Sequence, residues 1–132
     1  HIACSQGHVE CVRLLLEASA AIDQAAADGA TPLFMACQVG RVEIVRLLIQ
    51  ANAAVGQAAN NGFTPLLIAC QNGHVEVVRL LLKANAAMDQ AEKQGVTPLF
   101  VACQNNHLEI AKLLLEANAA IDQAGNNGFT PL

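Results

Sequence analysis

From Thr31 onward, apolar and polar positions alternate with the spacing of helices. Leu33, Ala36 and Cys37 fall at i, i+3 and i+4, which gathers them on one helical face. Thr31 stands ahead of them as an N-cap, and Pro32 takes the first helical position, where its missing N–H costs nothing. The pattern predicts a short first helix that breaks at Gly40, where the residue adopts positive φ or caps the next helix. A second helix is predicted over residues 42–51, with Val42, Val45 and Leu48 or Ile49 turned inward and Glu43, Arg46 and Gln50 facing water. Asn52 is its expected stop, because Asn is the usual substitute for glycine in a left-handed C-cap. Beyond it, Asn61-Gly62 in "AAVGQAANNGF" signals a tight turn.

This pattern recurs. Cys4, Cys37, Cys70 and Cys103 are 33 residues apart each time, and in that register 14 of the 33 columns hold one residue in all four units. Gly7, Gly73 and Asn106 share the column of Gly40, while Asn85 and Asn118 match Asn52. Cys11 aligns with Ile44, Val77 and Ile110 and so reads as a core residue. A unit of this size cannot bury its own apolar face, so the period predicts units stacked on their neighbours.

Composition sharpens this picture. The chain is 54% hydrophobic but only 3% aromatic, without Trp or Tyr, so its apolar mass is the Ala, Leu, Ile and Val of closely packed helices. The net charge is −4, and the seven Lys and Arg are spread evenly, which leaves no basic stripe for nucleic acid. Apolar runs stop well short of the roughly 20 residues that span a bilayer, so no membrane role is expected. Five cysteines, an odd number with four of them regularly spaced, argue against a disulfide framework and for an intracellular setting, cytoplasmic or nuclear.

A helix, a tight turn, an antiparallel helix and a projecting turn every 33 residues, with "TPL" opening the first helix, resembles an ankyrin repeat array. The "GHVE" at Gly7 and at Gly73 and the Leu run fall in family order, and the resemblance covers the whole chain. It implies an all-α solenoid of stacked helix-turn-helix units with projecting β-turn or hairpin loops. The chain is then a single array, 1–132: a partial unit 1–30, units 31–63, 64–96 and 97–129, and the start of a further unit at 130–132. Joining the final "TPL" to the initial "HIAC" restores the repeat, so the sequence reads as an interior piece of a longer array. Its end faces are expected to be complementary, which permits head-to-tail stacking of copies. Two features depart from the family. "Asn-Ala-Ala" at 85–87 replaces the usual Gly-Ala-Asp, and Phe34, Leu67 and Phe100 replace the His after "TPL", so packing takes over from polar links between units.

Candidate chemistry is thin. Cys4 and His8, Cys70 and His74, and Cys103 and His107 recur four residues apart, a spacing that suits zinc on a continuous helix. A helix break separates each pair, and Arg41 interrupts the series. Units about 10 Å apart also hold the ladder thiols too far from one another for a shared metal or a disulfide. The cysteines therefore read as core thiols, and no metal or cofactor is expected. Glu10, Glu43, Glu76 and Glu109 each precede a basic residue by three positions, as in Glu76 with Arg79 and Glu109 with Lys112, which are ordinary helix-surface pairs. No nucleophile-and-base arrangement or phosphate-binding glycine loop is present, so no enzyme is expected.

Binding requires a surface instead. The columns that vary most in polarity lie in the projecting turns, at Ala27, Asp28 and Ala30; Asn60, Asn61 and Phe63; Lys93, Gln94 and Val96; and Asn126, Asn127 and Phe129. In ankyrin arrays, turn tips and the outward side of the first helix form a concave binding face. The resemblance therefore adds Ser5, Gln6, Gln38, Val39, Gln71, Asn72, Gln104 and Asn105. It implies a protein-interaction module with a protein partner, or alternatively a passive scaffold within a larger protein. Phe63 and Phe129 either anchor that partner or pack on the neighbouring turn.

Overall fold

A computed structural model describes residues 9, 10, 13, 22–84, 86 and 93–117. Among these, six helices form three pairs: α1 (Pro32–Val39) with α2 (Val42–Gln50), α3 (Pro65–Asn72) with α4 (Val75–Lys83), and α5 (Pro98–Gln104) with α6 (Leu108–Glu116). First helices pack on first helices, α1 on α3 on α5. Second helices pack likewise, α2 on α4 on α6. The result is two parallel layers, each unit contributing one helix to each.

Every first helix starts in the same way. The hydroxyls of Thr31, Thr64 and Thr97 are buried, and each accepts the N–H three residues on, from Phe34, Leu67 and Phe100 at 3.1, 3.1 and 3.2 Å. These bonds satisfy both a buried oxygen and an orphan helix donor. Proline follows at the first helical position in each case. The ends are equally regular. Gly40 and Gly73 take φ of 84° and 76°, and Asn106 reaches 60° in the same column. The N–H groups of Gly40 and Arg41 both close on the Ala36 carbonyl, at 2.9 and 3.0 Å. Asn52 ends α2 at φ 67°, as its column predicts, while Asn85 and Asn118 lie outside the described residues.

The core runs continuously between the layers. Leu33, Ala36 and Cys37 meet Ile44, Val45 and Leu48, and the equivalent residues of the next two units extend the cluster. Val42 and Ile49, expected inward, are half-buried, while Glu43, Arg46 and Gln50 face water. Phe34 and Leu67, where the family carries His, are buried at 6% and 0% exposure, so apolar packing does replace a polar link there. No helix among the described residues is long and apolar enough to cross a membrane.

Between pairs, the chain projects a turn. In each of the first two, one hairpin-type bond closes the base, from Ala26 N–H to the Ala30 carbonyl and from Ala59 N–H to the Phe63 carbonyl, both 2.9 Å. Asp28 and Asn61 brace the turns by accepting the N–H two residues on, each at 3.0 Å. No strand is assigned among the described residues, so these loops are paired turns.

Candidate functional site

The first-helix ends lie side by side because α1, α3 and α5 are neighbours. Gln38 and Val39, Gln71 and Asn72, and Gln104 and Asn105 are exposed along this line. Val39, at 41%, is one of two large apolar side chains among the described residues that are this open. Asp28, Asn60, Asn61, Lys93 and Gln94 are exposed at the turns. Ser5, Gln6, Asn126, Asn127 and Phe129 lie outside the described residues.

Three of the turn residues are placed differently from the sequence expectation of a surface. Ala30 is buried at 4% exposure, because its N–H is drawn to Asp28 and its methyl joins the core directly ahead of the capping Thr31. Phe63 is half-buried and packs against the core. Val96 is half-buried as well.

Several surface amides also bind the array itself. The Gln38 carbonyl, near the end of α1, accepts from Asn72 Nδ2 and His74 Nε2, each at 3.0 Å. One unit on, the Gln71 carbonyl accepts from Asn105 Nδ2 at 3.2 Å and His107 Nε2 at 3.1 Å. A helix leaves its last carbonyls without internal partners, and here the following unit supplies two donors. Since a carbonyl only accepts, Nε2 carries the hydrogen in both rings. The glycine at each helix end makes room. A Cβ on Gly40 would lie 2.6 Å from His74 Nδ1, and one on Gly73 would lie 2.7 Å from His107 Cε1.

The turns are tied in the same manner. Asn60 donates its backbone N–H to the Asp28 carbonyl at 2.9 Å and its Nδ2 to the Ala27 carbonyl at 3.0 Å. Asp23 Oδ1 accepts the Ala54 N–H at 2.9 Å. The sequence reading missed these struts. A signal for them exists: unit two carries Val39 and Arg41 where its successors carry Asn72 with His74 and Asn105 with His107, so the two strut residues are lost together.

The Cys and His ladder is thereby split into two tasks, with imidazoles bridging units and thiols inside them. Cys37 and Cys70 are fully buried, whereas Cys103, expected in the core, is half-buried in the last described unit. Burial pushes the Cys70 thiol up to about 12 and moves Cys37 and Cys103 in the same direction. Because the raised value belongs to the folded state, neither buried thiol affects stability below the unfolded thiol range. Above about pH 8.5 the unfolded chain releases protons that the folded chain keeps, and each buried thiol then lowers stability by about 1.4 kcal/mol per pH unit. Urea melts from pH 7 to 10 should show this fall, and Cys37→Ala with Cys70→Ala should flatten it.

Among the acidic residues, Glu43 pairs with Arg46 at 2.5 Å, and Glu76 pairs with Arg79. Glu109 reaches Arg79 of the preceding unit at 3.6 Å, a cross-unit link where an intrahelical pair with Lys112 was expected. These exposed pairs are worth a few tenths of a kcal/mol. No group of three or more His, Cys, Asp or Glu among the described residues is arranged to hold a metal ion.

A family model described as ankyrin repeats (3 copies) matches residues 1–59 and again 51–127. The chain belongs to the ankyrin repeat family. Ankyrin repeats are generally protein–protein interaction modules and typically non-enzymatic, and the helix pairs, glycine-ended first helices and projecting turns are the architecture of that family. No curated protein matches this ankyrin chain.

Proposed function

We propose that the chain is a non-enzymatic interaction module that takes a protein partner on the concave face formed by its turn tips and first helices. The observation that carries this reading is the line of exposed residues at the ends of α1, α3 and α5, where Val39 stands apolar among Gln38, Gln71, Asn72, Gln104 and Asn105. Asp28, Asn61, Lys93 and Gln94 extend it along the turns, with Asn127 and Phe129 continuing it by register. Of the turn residues, Ala30 and Phe63 serve this face chiefly by holding the turn in place. The array spans one domain, 1–132, in the register given above, and its free thiols suit an intracellular compartment.

A passive scaffold is the second reading. It is favoured by the engagement of Asn60, Asn72 and Asn105 in struts between units. A photo-crosslinking amino acid separates the two. Placed singly at Val39, Gln71 or Gln104, it should capture one and the same protein from cell extract, while placement at Gln50 or Lys83 on the second-helix side should not. Capture from the second-helix positions alone, or from none, contradicts the concave-face assignment.

A further inference from the structure

The second projecting turn carries an Asn-Gly step, Asn61-Gly62, with Asn61 exposed. Asn61 accepts the Phe63 N–H on Oδ1 at 3.0 Å, which folds its carboxamide forward over the peptide that joins Asn61 to Gly62. The same bond polarises the amide carbonyl, so Cγ is more open to a nucleophile and a donor already faces the oxygen on which negative charge develops. Gly62 has no side chain to obstruct its nitrogen. The chain holds the same dipeptide in a second setting, Asn72-Gly73, where the side chain is committed elsewhere. Asn72 closes α3 in helical backbone, and its Nδ2 donates to the Gln38 carbonyl at 3.0 Å, so the carboxamide reaches to the preceding unit. Both glycine N–H groups are bonded to a carbonyl, Gly62 to Ala59 and Gly73 to Ala69. The attacking nitrogen therefore does not distinguish the two sites, and the amide side chain does. A further Asn-Gly step, Asn127-Gly128, lies outside the described residues.

We infer that Asn61 is a site of spontaneous deamidation, and that the fold favours the reaction there while suppressing it at Asn72. The Gly62 nitrogen attacks Asn61 Cγ and forms the N–Cγ bond of a five-membered succinimide. The Cγ–Nδ2 bond breaks, and Nδ2 leaves as ammonia with the proton that Gly62 gives up. Water then opens the ring at either carbonyl, so the net change is one amide and one water to one acid and one ammonia, with no oxidant or reductant. Opening at Cγ gives aspartate, and the first turn already carries that residue. Asp28 holds the same column and accepts the Ala30 N–H at 3.0 Å, as Asn61 accepts that of Phe63. Opening at the backbone carbonyl gives isoaspartate, whose extra backbone methylene misplaces both the Asn61 bond to Phe63 and the Ala59 to Phe63 bond that closes the turn. Either product adds one negative charge to the turn next to that of Asp28, on the face assigned above to a partner. That consequence rests on the concave-face reading, whereas the chemistry does not.

Incubation of the folded chain at neutral pH in heavy-oxygen water, followed by digestion and mass spectrometry of the peptides, reads both sites in one sample. Asn61 should take up heavy oxygen about tenfold or more faster than Asn72, the factor supplied by one hydrogen bond that assists the first site and one that restrains the second. In urea, where neither setting exists, the two rates should converge. Asn61→Gln places in the second turn the residue that the third turn carries in this column, Gln94 ahead of Gly95, and its longer side chain closes a six-membered ring far less readily. This variant should keep the helical signal of the parent and stop the labelling of that peptide. No partner enters the measurement, so its outcome is independent of the concave-face reading. Equal rates at Asn61 and Asn72 in the folded chain overturn the inference, as does labelling at Asn61 that occurs only in urea.

Discussion

Leu81→Ala is expected to cost about 3–5 kcal/mol and to lower the unfolding midpoint of the whole array in one transition. Leu81 lies in α4 of the middle unit with no exposure, inside the cluster that runs from α1 and α2 through to Leu114 of α6. Removing its isobutyl group leaves a cavity bounded by helices that the struts and caps hold in place, so little collapse can refill it. Domains of this size have about 5–15 kcal/mol in all, which makes the loss a large fraction of total stability. Because each unit contacts only its neighbours, the middle unit carries two interfaces, and the loss is felt on both sides of it while the array still unfolds as one. Leu82→Ala, one residue on and half-buried, should cost clearly less. Urea denaturation followed by circular dichroism measures both, and equal losses would refute the placement of the core.

Gly29→Ala should be the next most damaging single change, at about 2–4 kcal/mol. Gly29 sits at φ 83°, and a Cβ built there falls 2.4 Å from Asn60 Oδ1 and 2.7 Å from the Asn60 backbone nitrogen. The first penalty is conformational and the second steric. The steric one falls on both the side chain and the backbone of Asn60, and the backbone cannot swing aside as the tip of a side chain can. It would also break the paired bonds from Asn60 to the Ala27 and Asp28 carbonyls, which tie one turn to the next. Gly56 provides the contrast within the same chain. It has no positive φ and nothing within 4 Å of a Cβ. Gly56→Ala should therefore stabilise by about 0.4–1 kcal/mol, by narrowing the unfolded ensemble. Gly56→Asp has the further merit of restoring the residue that accepts the Ala54 N–H at Asp23. Thermal melts of the three variants should rank them in opposite directions from the parent, and a neutral Gly29→Ala would show that the turns are not coupled.

The elements of the fold were legible because they rest on local chemistry. Thr31-Pro32, Gly40 and Asn52 announce the start and stop of helices through capping and positive φ, and these effects act within a few residues. The stacking was legible because a period of 33 leaves an unburied face on every unit. The surface was less so. Exposure in a turn depends on which way one side chain leans, and the same column holds buried Ala30 and half-buried Phe63 and Val96. The roles of Asn72, His74, Asn105 and His107 join residues 34 and 36 apart, so no local pattern marks them. Only the simultaneous change to Val39 and Arg41 hinted at the pairing. Cys103 departs from Cys37 and Cys70 because burial in a stack is set by what lies on the next unit, and not by the residue's own unit.

The most direct test is to insert a second copy of residues 64–96 between positions 96 and 97 and to measure urea unfolding against the parent chain. An array held together by neighbour-on-neighbour contacts accepts the extra unit: helical signal and m-value rise in proportion to the added length, and the midpoint moves to higher urea. A lower midpoint, or a loss of cooperative unfolding, would mean that the core closes on itself and that the units do not stack as independent layers.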